Sequence, residues 1–287
     1  MSTHIETHFD QFTATASHIV VDTASQQAAI VDPVMGFDQK SGTTDVTLIT
    51  TMLLRVKEMG AQVKYVLETH AHADHLSSAD YIRQQTGAEI VIGKPITQVQ
   101  NTFASIFNET DVLACDGSQF DHLVEDGDQL SLGETLINVI ATPGHTPACV
   151  SYLVGDEAVF VGDTLFMPDV GSARCDFPGG DARTLYRSAQ RLLSLDAGIQ
   201  MYLCHDYPPA NRDIETRVSV AQQRRENIHL RDGISEDEFV ALRTERDNTL
   251  EVPRLILPSL QVNIRAGALP AAEENGTSYL KMPLNVL

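Results

Sequence analysis

The chain has 287 residues, 43% of them apolar, enough for one large domain or two small ones with a real core. Against 20 basic side chains stand 39 acidic ones, a formal net charge of −19 that argues against nucleic-acid binding and against docking on anionic lipid, both of which want a basic face. No stretch approaches the ~18 apolar residues of a membrane span; the start, "MSTHIETHFD", is unlike a secretory signal, and Cys115, Cys149, Cys175 and Cys204 form no CxxC pair, so a reducing, cytoplasmic setting is expected.

In chain order, "HIVVDT" and "AAIVDPV" read as strands joined by the polar turn "ASQQ". "TDVTLITTMLLRVKEMG" has helical apolar spacing and stops at Gly60, a plausible C-cap. "AQVKYVLETH" is a buried strand, "SSADYIRQQTG" a helix and "AEIVIG" the next strand. The stretch 94–130 is the least informative. From "DQLSLGETLINVIATPGH" through "CVSYLVGDEAVFVGDTLF" the spacing is that of consecutive strands. Helices return at "DARTLYRSAQRLLSL" and "NRDIETRVSVAQQRREN", on either side of the short strand "QMYLCH". "SEDEFVALRTERDN" adds one more helix before an irregular closing segment. Strand-rich halves with helices outside predict an α/β fold layered αββα. No repeat or Gly/Ser linker interrupts it, so one catalytic domain over 1–230 with a C-terminal extension over 231–287 is expected.

"ETHAHADHLSSA" then demands an explanation. It places His70, His72, Asp74 and His75 within six positions, directly after an apolar strand. Burying that much imidazole together without a cation is costly, and a strand end is a rigid mount for metal ligands. Three further strand ends supply the same chemistry: His145 in "ATPGHTPACV", Asp163 in "AVFVGDTLF" and His205 in "MYLCHDY". A layered sheet can bring them to one rim. His4, His8, His18, His122 and His229 lack such settings and read as structural or solvated.

The ordered set "THAHADH", "PGHT", "GDTLF" and "HDY" resembles the metallo-β-lactamase fold superfamily over about residues 15–210. That resemblance implies the αββα sandwich, but the fold hosts hydrolases, oxidases and dioxygenases alike. Every residue of the dinuclear hydrolase pattern is present: His70, His72 and His145 for one metal, Asp74, His75 and His205 for the other, Asp163 bridging. Two metals would suit thioester hydrolysis of the glyoxalase II kind. Other segments resemble the persulfide dioxygenases (sulfur dioxygenases): "GDTLFMPDVGSARCDFPGGDARTLYRS", the closing "ISEDEFVAL" and "VPRLILPSLQVNIRAG", and "HAHADH" where glyoxalase II tends to carry "HHHxDH". One departure is a longer stretch between the histidine loop and His145 than in the mitochondrial-type enzymes.

In that family a single iron is held by two histidines and one aspartate. The resemblance carries these roles to His70, His145 and Asp163, with Fe(II), one per chain, as cofactor. His72, Asp74, His75 and His205 then either support the ligands or hold a second metal. Glutathione persulfide and O2 would be the substrates, sulfite and glutathione the products, and the protein a homo-oligomer (dimer or tetramer). Glutathione's two carboxylates call for cations at the pocket rim. Arg174 in "GSARCDF" is the first candidate, Tyr207 in "HDY" the second. Arg243 and Arg246, three apart in "LRTERDN", are further candidates, although a solvated helix face also fits them. Cys175 reads as structural.

Overall fold

A hairpin opens the molecule: β1 (Thr3–Asp10) pairs antiparallel with β2 (Thr15–Asp22). In the computed structural model, which describes residues 3–286, β2 is buried along its whole length and its side chains divide between two clusters. Ile19 and Val21 enter one, Val20 the other. Alternation across a strand with both faces covered produces that split, and it marks the strand as an inner layer. β3 (Gln27–Val31) continues the sheet, and a small hairpin, β4 (Val34–Asp38) with β5 (Thr43–Asp45), leads into helix α1 (Thr47–Glu58). β6 (Gln62–Leu67) then lies parallel to β3.

Past the histidine loop come β7 (Leu76–Ser77), α2 (Ala79–Thr86), β8 (Glu89–Gly93), α3 (Ile96–Ile106) and β9 (His122–Val124). The first sheet is ordered β1-β2-β3-β6-β8-β9. The second contains β10 (Gln129–Leu132), β11 (Thr135–Ala141), β12 (Val150–Val154), β13 (Ala158–Phe160), β14 (Gln200–Tyr202) and β15 (Arg217–Ser219), in that order. Helix α4 (Ala182–Leu193) crosses from β13 to its parallel neighbour β14. Between the sheets lie Val20, Val31, Leu67, Val139, Tyr152 and Phe160. Ile30, Met52, Ile82 and Phe103 bury the first sheet against α1–α3, and Val159, Val161, Leu185 and Leu192 bury the second against α4. The layering is αββα, as the strand and helix order predicts.

Two expectations need correction. The stretch 211–227 is not one helix: β15 occupies its middle, and α5 (Val220–Glu226) only its end. Arg212 is drawn away from a helical course by bidentate pairing with the buried Asp206 at 2.7 and 2.8 Å and with Asp169 at 2.8 and 3.0 Å. The closing segment is not wholly irregular either. After α6 (Glu236–Asp247), held by a Ser235–Glu238 capping box, α7 (Ile256–Asn263) packs beside β7 and joins the first sheet's core through Leu260.

Candidate metal centre

The site forms where strands of both sheets end. β6 runs into Thr69 and His70, β11 into the loop bearing His145, β13 into the turn bearing Asp163, and β14 into Cys204 and His205. β3 ends on Asp32. Gly162 permits the Asp163 turn: its φ is +52°, and a β-carbon there would stand 2.6 Å from the Thr69 hydroxyl. Gly144, at φ +135°, lets the His145 loop press on α4, where a β-carbon would meet the Leu185 backbone at 2.3 Å.

His70, His145 and Asp163 are buried, and their ligand atoms lie within 4.8 Å of one another. His70 Nε2 is 3.8 Å and His145 Nε2 3.6 Å from Asp163 Oδ2. On the other side of the same carboxylate, His205 Nε2 lies 3.4 Å from Asp163 Oδ1 and 3.2 Å from Asp74 Oδ2.

The hydrogen bonds assign the tautomers. Thr69 donates its hydroxyl to Asp32 at 2.9 Å, so His70 Nδ1–H donates to the Thr69 oxygen at 3.0 Å. His145 Nδ1–H donates to the Arg174 carbonyl at 2.6 Å, His75 Nδ1–H to the Leu76 carbonyl at 3.2 Å, and His205 Nδ1–H to the Ala14 carbonyl at 3.1 Å. Each of these rings therefore turns an Nε2 lone pair inward. The Nε2 atoms of His70, His75 and His205, with Asp74 Oδ2 and Asp163 Oδ1, are buried and lack a hydrogen-bond partner. Lone pairs and carboxylate oxygens gathered in a dry pocket without donors fit a cation. Burial, reinforced by the neighbouring imidazoles, holds His70 well below the usual histidine range and His75 at about 3. Both imidazoles are therefore neutral, the form that can bind a cation.

His72 is arranged differently. Its Nε2 faces Asp32 Oδ1 at 3.0 Å, although neither of its buried ring nitrogens makes a hydrogen bond, and its ring joins a second group with His75, Cys204 and His205. Burial opposes protonation of His72, but Asp32 outweighs it and lifts the imidazole to about 9. Asp32 also accepts the Thr69 amide at 2.8 Å. Burial next to Asp32 pushes Glu68 up to about 8, and Ser77 donates its hydroxyl to it. From α7, Asn263 donates to the His72 and His75 carbonyls, each at 2.8 Å, and accepts the Ser77 amide at 2.8 Å.

Sequence reasoning passed over Asp32, Glu68, Cys204 and Asn263. The Asp-Pro step ending a strand was a signal for the first, adjacency to a ligand for the second and third; Asn263 had none.

A cavity of about 760 Å³ opens beside Asp163, His145 and Asp74. The four candidate substrate residues divide on inspection. Arg174 lines it but grips Asp176 at 2.6 and 2.7 Å and the Glu251 carbonyl at 2.7 Å. Arg243 is not on a solvated face. It is 1% exposed, paired with Asp247 at 2.6 Å and bound to the Ser172 carbonyl at 2.9 Å. That same Asp247 accepts the Cys175 amide, and burial pushes the Cys175 thiol up to about 12, far from a reactive thiolate. Arg246 is exposed and lines the cavity. Tyr207 stacks on His205, centroids 5.7 Å apart, and is half exposed to the cavity. Of the remaining histidines, His18 and His229 are buried in hydrogen bonds and His122 pairs with Glu89 at 2.9 Å.

A family model described as the metallo-beta-lactamase superfamily matches residues 13–205. A probable metallo-hydrolase of Burkholderia pseudomallei is 51% identical, covering 99% of both chains. Glyoxylase B2 of Dictyostelium discoideum is 47% identical over 96% of this chain and 94% of its own. The mitochondrial persulfide dioxygenase ETHE1 of Homo sapiens is 29% identical over 90% and 87%. The crystal structure of ETHE1 from Myxococcus xanthus superposes with a TM-score of 0.73 at 29% identity, covering 92% of this chain and all of that one.

Proposed function

The chain belongs to the metallo-beta-lactamase superfamily, and from that premise we propose that it is an iron-dependent dioxygenase, one Fe(II) per chain, converting glutathione persulfide and O2 to sulfite and glutathione. The observation that carries this reading is the closure of His70, His145 and Asp163 into one ligand set without His72, which groups instead with Asp32 and Glu68 or with His75, Cys204 and His205. Two imidazoles and one carboxylate leave open positions, the facial arrangement of non-haem Fe(II) oxygenases. The likeness to ETHE1 over nine-tenths of the chain supports it.

Iron bound there would supply adjacent positions for the terminal persulfide sulfur and O2, and a route for electrons from sulfur to oxygen. Both oxygen atoms end on the terminal sulfur; water then cleaves the sulfur–sulfur bond, releasing sulfite and returning the thiol. The protein's own work is positional. The Asp32–Thr69–His70 chain and the Arg174 carbonyl fix two lone pairs on the metal position. One carboxylate against a divalent ion leaves net positive charge for an anionic persulfide. Cytoplasmic residence, a homo-oligomeric state, and a 1–230 catalytic domain carrying the 231–287 extension belong to the same reading, and the four free cysteines fit a reducing compartment.

A second reading, a dinuclear thioester hydrolase, is favoured by Asp74, His75 and His205 converging on the far side of Asp163. The hydrolase and glyoxylase names of the 47–51% identical relatives favour it too. The deciding experiment is oxygen uptake by Fe(II)-loaded protein with and without glutathione persulfide, alongside metal analysis. Persulfide-dependent uptake with sulfite formed and one iron per chain is expected. No uptake from protein shown to hold iron, with S-lactoylglutathione hydrolysed by protein holding two metals, would replace the first reading with the second.

A further inference from the structure

Four arginines line the cavity beside the metal centre: Arg174, Arg243, Arg246 and Arg254. Arg174 and Arg243 are spent on Asp176 and Asp247. Arg246 and Arg254 have no carboxylate partner among the described residues, and of these two Arg254 is the one seated on an aromatic ring. It is exposed and lies over the ring of Phe12 with its guanidinium carbon 3.9 Å from the centroid. Phe12 is itself 56% exposed, although it sits in the β1–β2 turn among polar neighbours. In a chain of net charge −19, an unpaired cation seated on an exposed aromatic at the mouth of a metal-site cavity is a feature to be explained.

A guanidinium seated 3.9 Å over a ring centroid has lost much of its rotational freedom before any ligand arrives, while N–H groups turned away from the ring stay available to a carboxylate. The ring also shields one face from water. The two residues come from opposite ends of the chain, Phe12 from the β1–β2 turn and Arg254 from the segment leading into α7, so the pair exists only in the folded molecule.

We propose that Arg254, backed by Phe12, is the specificity-determining anchor that takes a carboxylate of the substrate, restricting the site to carboxylate-bearing thiol derivatives. This rests on the reading above for the chemistry but not for the anchor, because glutathione persulfide and S-lactoylglutathione carry the same glutathione carboxylates.

The test compares wild type, Arg254→Ala, Arg254→Lys and Phe12→Leu, each metal-loaded, with glutathione persulfide, cysteamine persulfide (no carboxylate) and S-lactoylglutathione. Whichever glutathione derivative turns over, Arg254→Ala should raise its KM by about tenfold or more with kcat little changed. Arg254→Lys should recover part of the loss, and Phe12→Leu should raise KM by about two- to fivefold. Preference for glutathione persulfide over cysteamine persulfide should collapse in Arg254→Ala. Failure of the dioxygenase reading would appear as absent oxygen uptake by wild type, with the anchor still readable in hydrolysis. Where no substrate turns over, calorimetric binding of glutathione replaces KM. Unchanged KM or binding in Arg254→Ala, a fall in kcat alone, or no glutathione binding by wild type would overturn the anchor.

Discussion

Thr69 shows how a small side chain can govern a ligand. Its hydroxyl donates to Asp32 and accepts from His70, so the tautomer of His70 follows from a carboxylate on another strand. Thr69→Val keeps the shape and removes both bonds. Metal affinity, read by competition with a chelator, should fall by about 10–100-fold with an unchanged circular dichroism spectrum. His72→Ala tests the neighbouring position: with a single iron on His70, His145 and Asp163 it should leave about one iron per chain, whereas a dinuclear site should lose a direct ligand and metal with it. His18 offers a cleaner pH signal because it lies away from the ligands. It is buried, Nε2–H donating to the Leu203 carbonyl at 3.2 Å and Nδ1 accepting from Thr7 at 2.9 Å, and burial lowers it from 6.5 to about 4. Between those values the unfolded chain binds the proton and the folded one does not, so stability is full above about pH 6.5 and falls as pH drops toward 4. The loss reaches about 3 kcal/mol. Denaturation at pH 7 and pH 5 should show about 2 kcal/mol of that loss in wild type and a flatter response in His18→Gln.

At the scale of elements, the histidine loop owes its shape to a helix that follows it by nearly two hundred residues. Asn263, at the end of α7, closes three hydrogen bonds on the loop backbone. Asn263→Ala leaves two buried carbonyls and an amide unpaired, at about 1–3 kcal/mol each. Several kcal/mol of global stability should go, read by urea denaturation, and weaker metal retention should accompany the loss. That helix was hidden in the sequence because Pro253 and Pro258 bracket its start. Pro258 is accommodated because it falls in the first turn, where its missing N–H costs no intrahelical bond. The opposite error, a helix assumed across 211–227, came from a periodic tail. There the Arg212–Asp206–Asp169 network and pairing of β15 with β14 prevail over local preference. Strand ends were legible where apolar runs stop at His, Asp or Gly, because strand length and burial are local properties.

Over the whole molecule, metal and fold are coupled. The buried lone pairs and carboxylates of the centre gain their partner only with a cation, so metal binding to the folded chain should stabilise it by about 4 kcal/mol at a thousandfold excess over Kd. Thermal denaturation before and after exhaustive chelation should show a lower midpoint in the stripped protein, restored by Fe(II) under anaerobic conditions. The sequence by itself determined the layered α/β architecture and the list of ligand-bearing strand ends, because both follow from periodicity and from residue types that few other roles require. Only the tertiary structure decided how those residues divide: His72 onto Asp32, Arg243 into an ion pair with Asp247, Arg254 onto Phe12 at the cavity mouth. An arginine or histidine has the same letter whether its charge is neutralised, buried or left free. What separates those fates is the partner the fold brings within about 3 Å, and a one-dimensional pattern does not contain that distance.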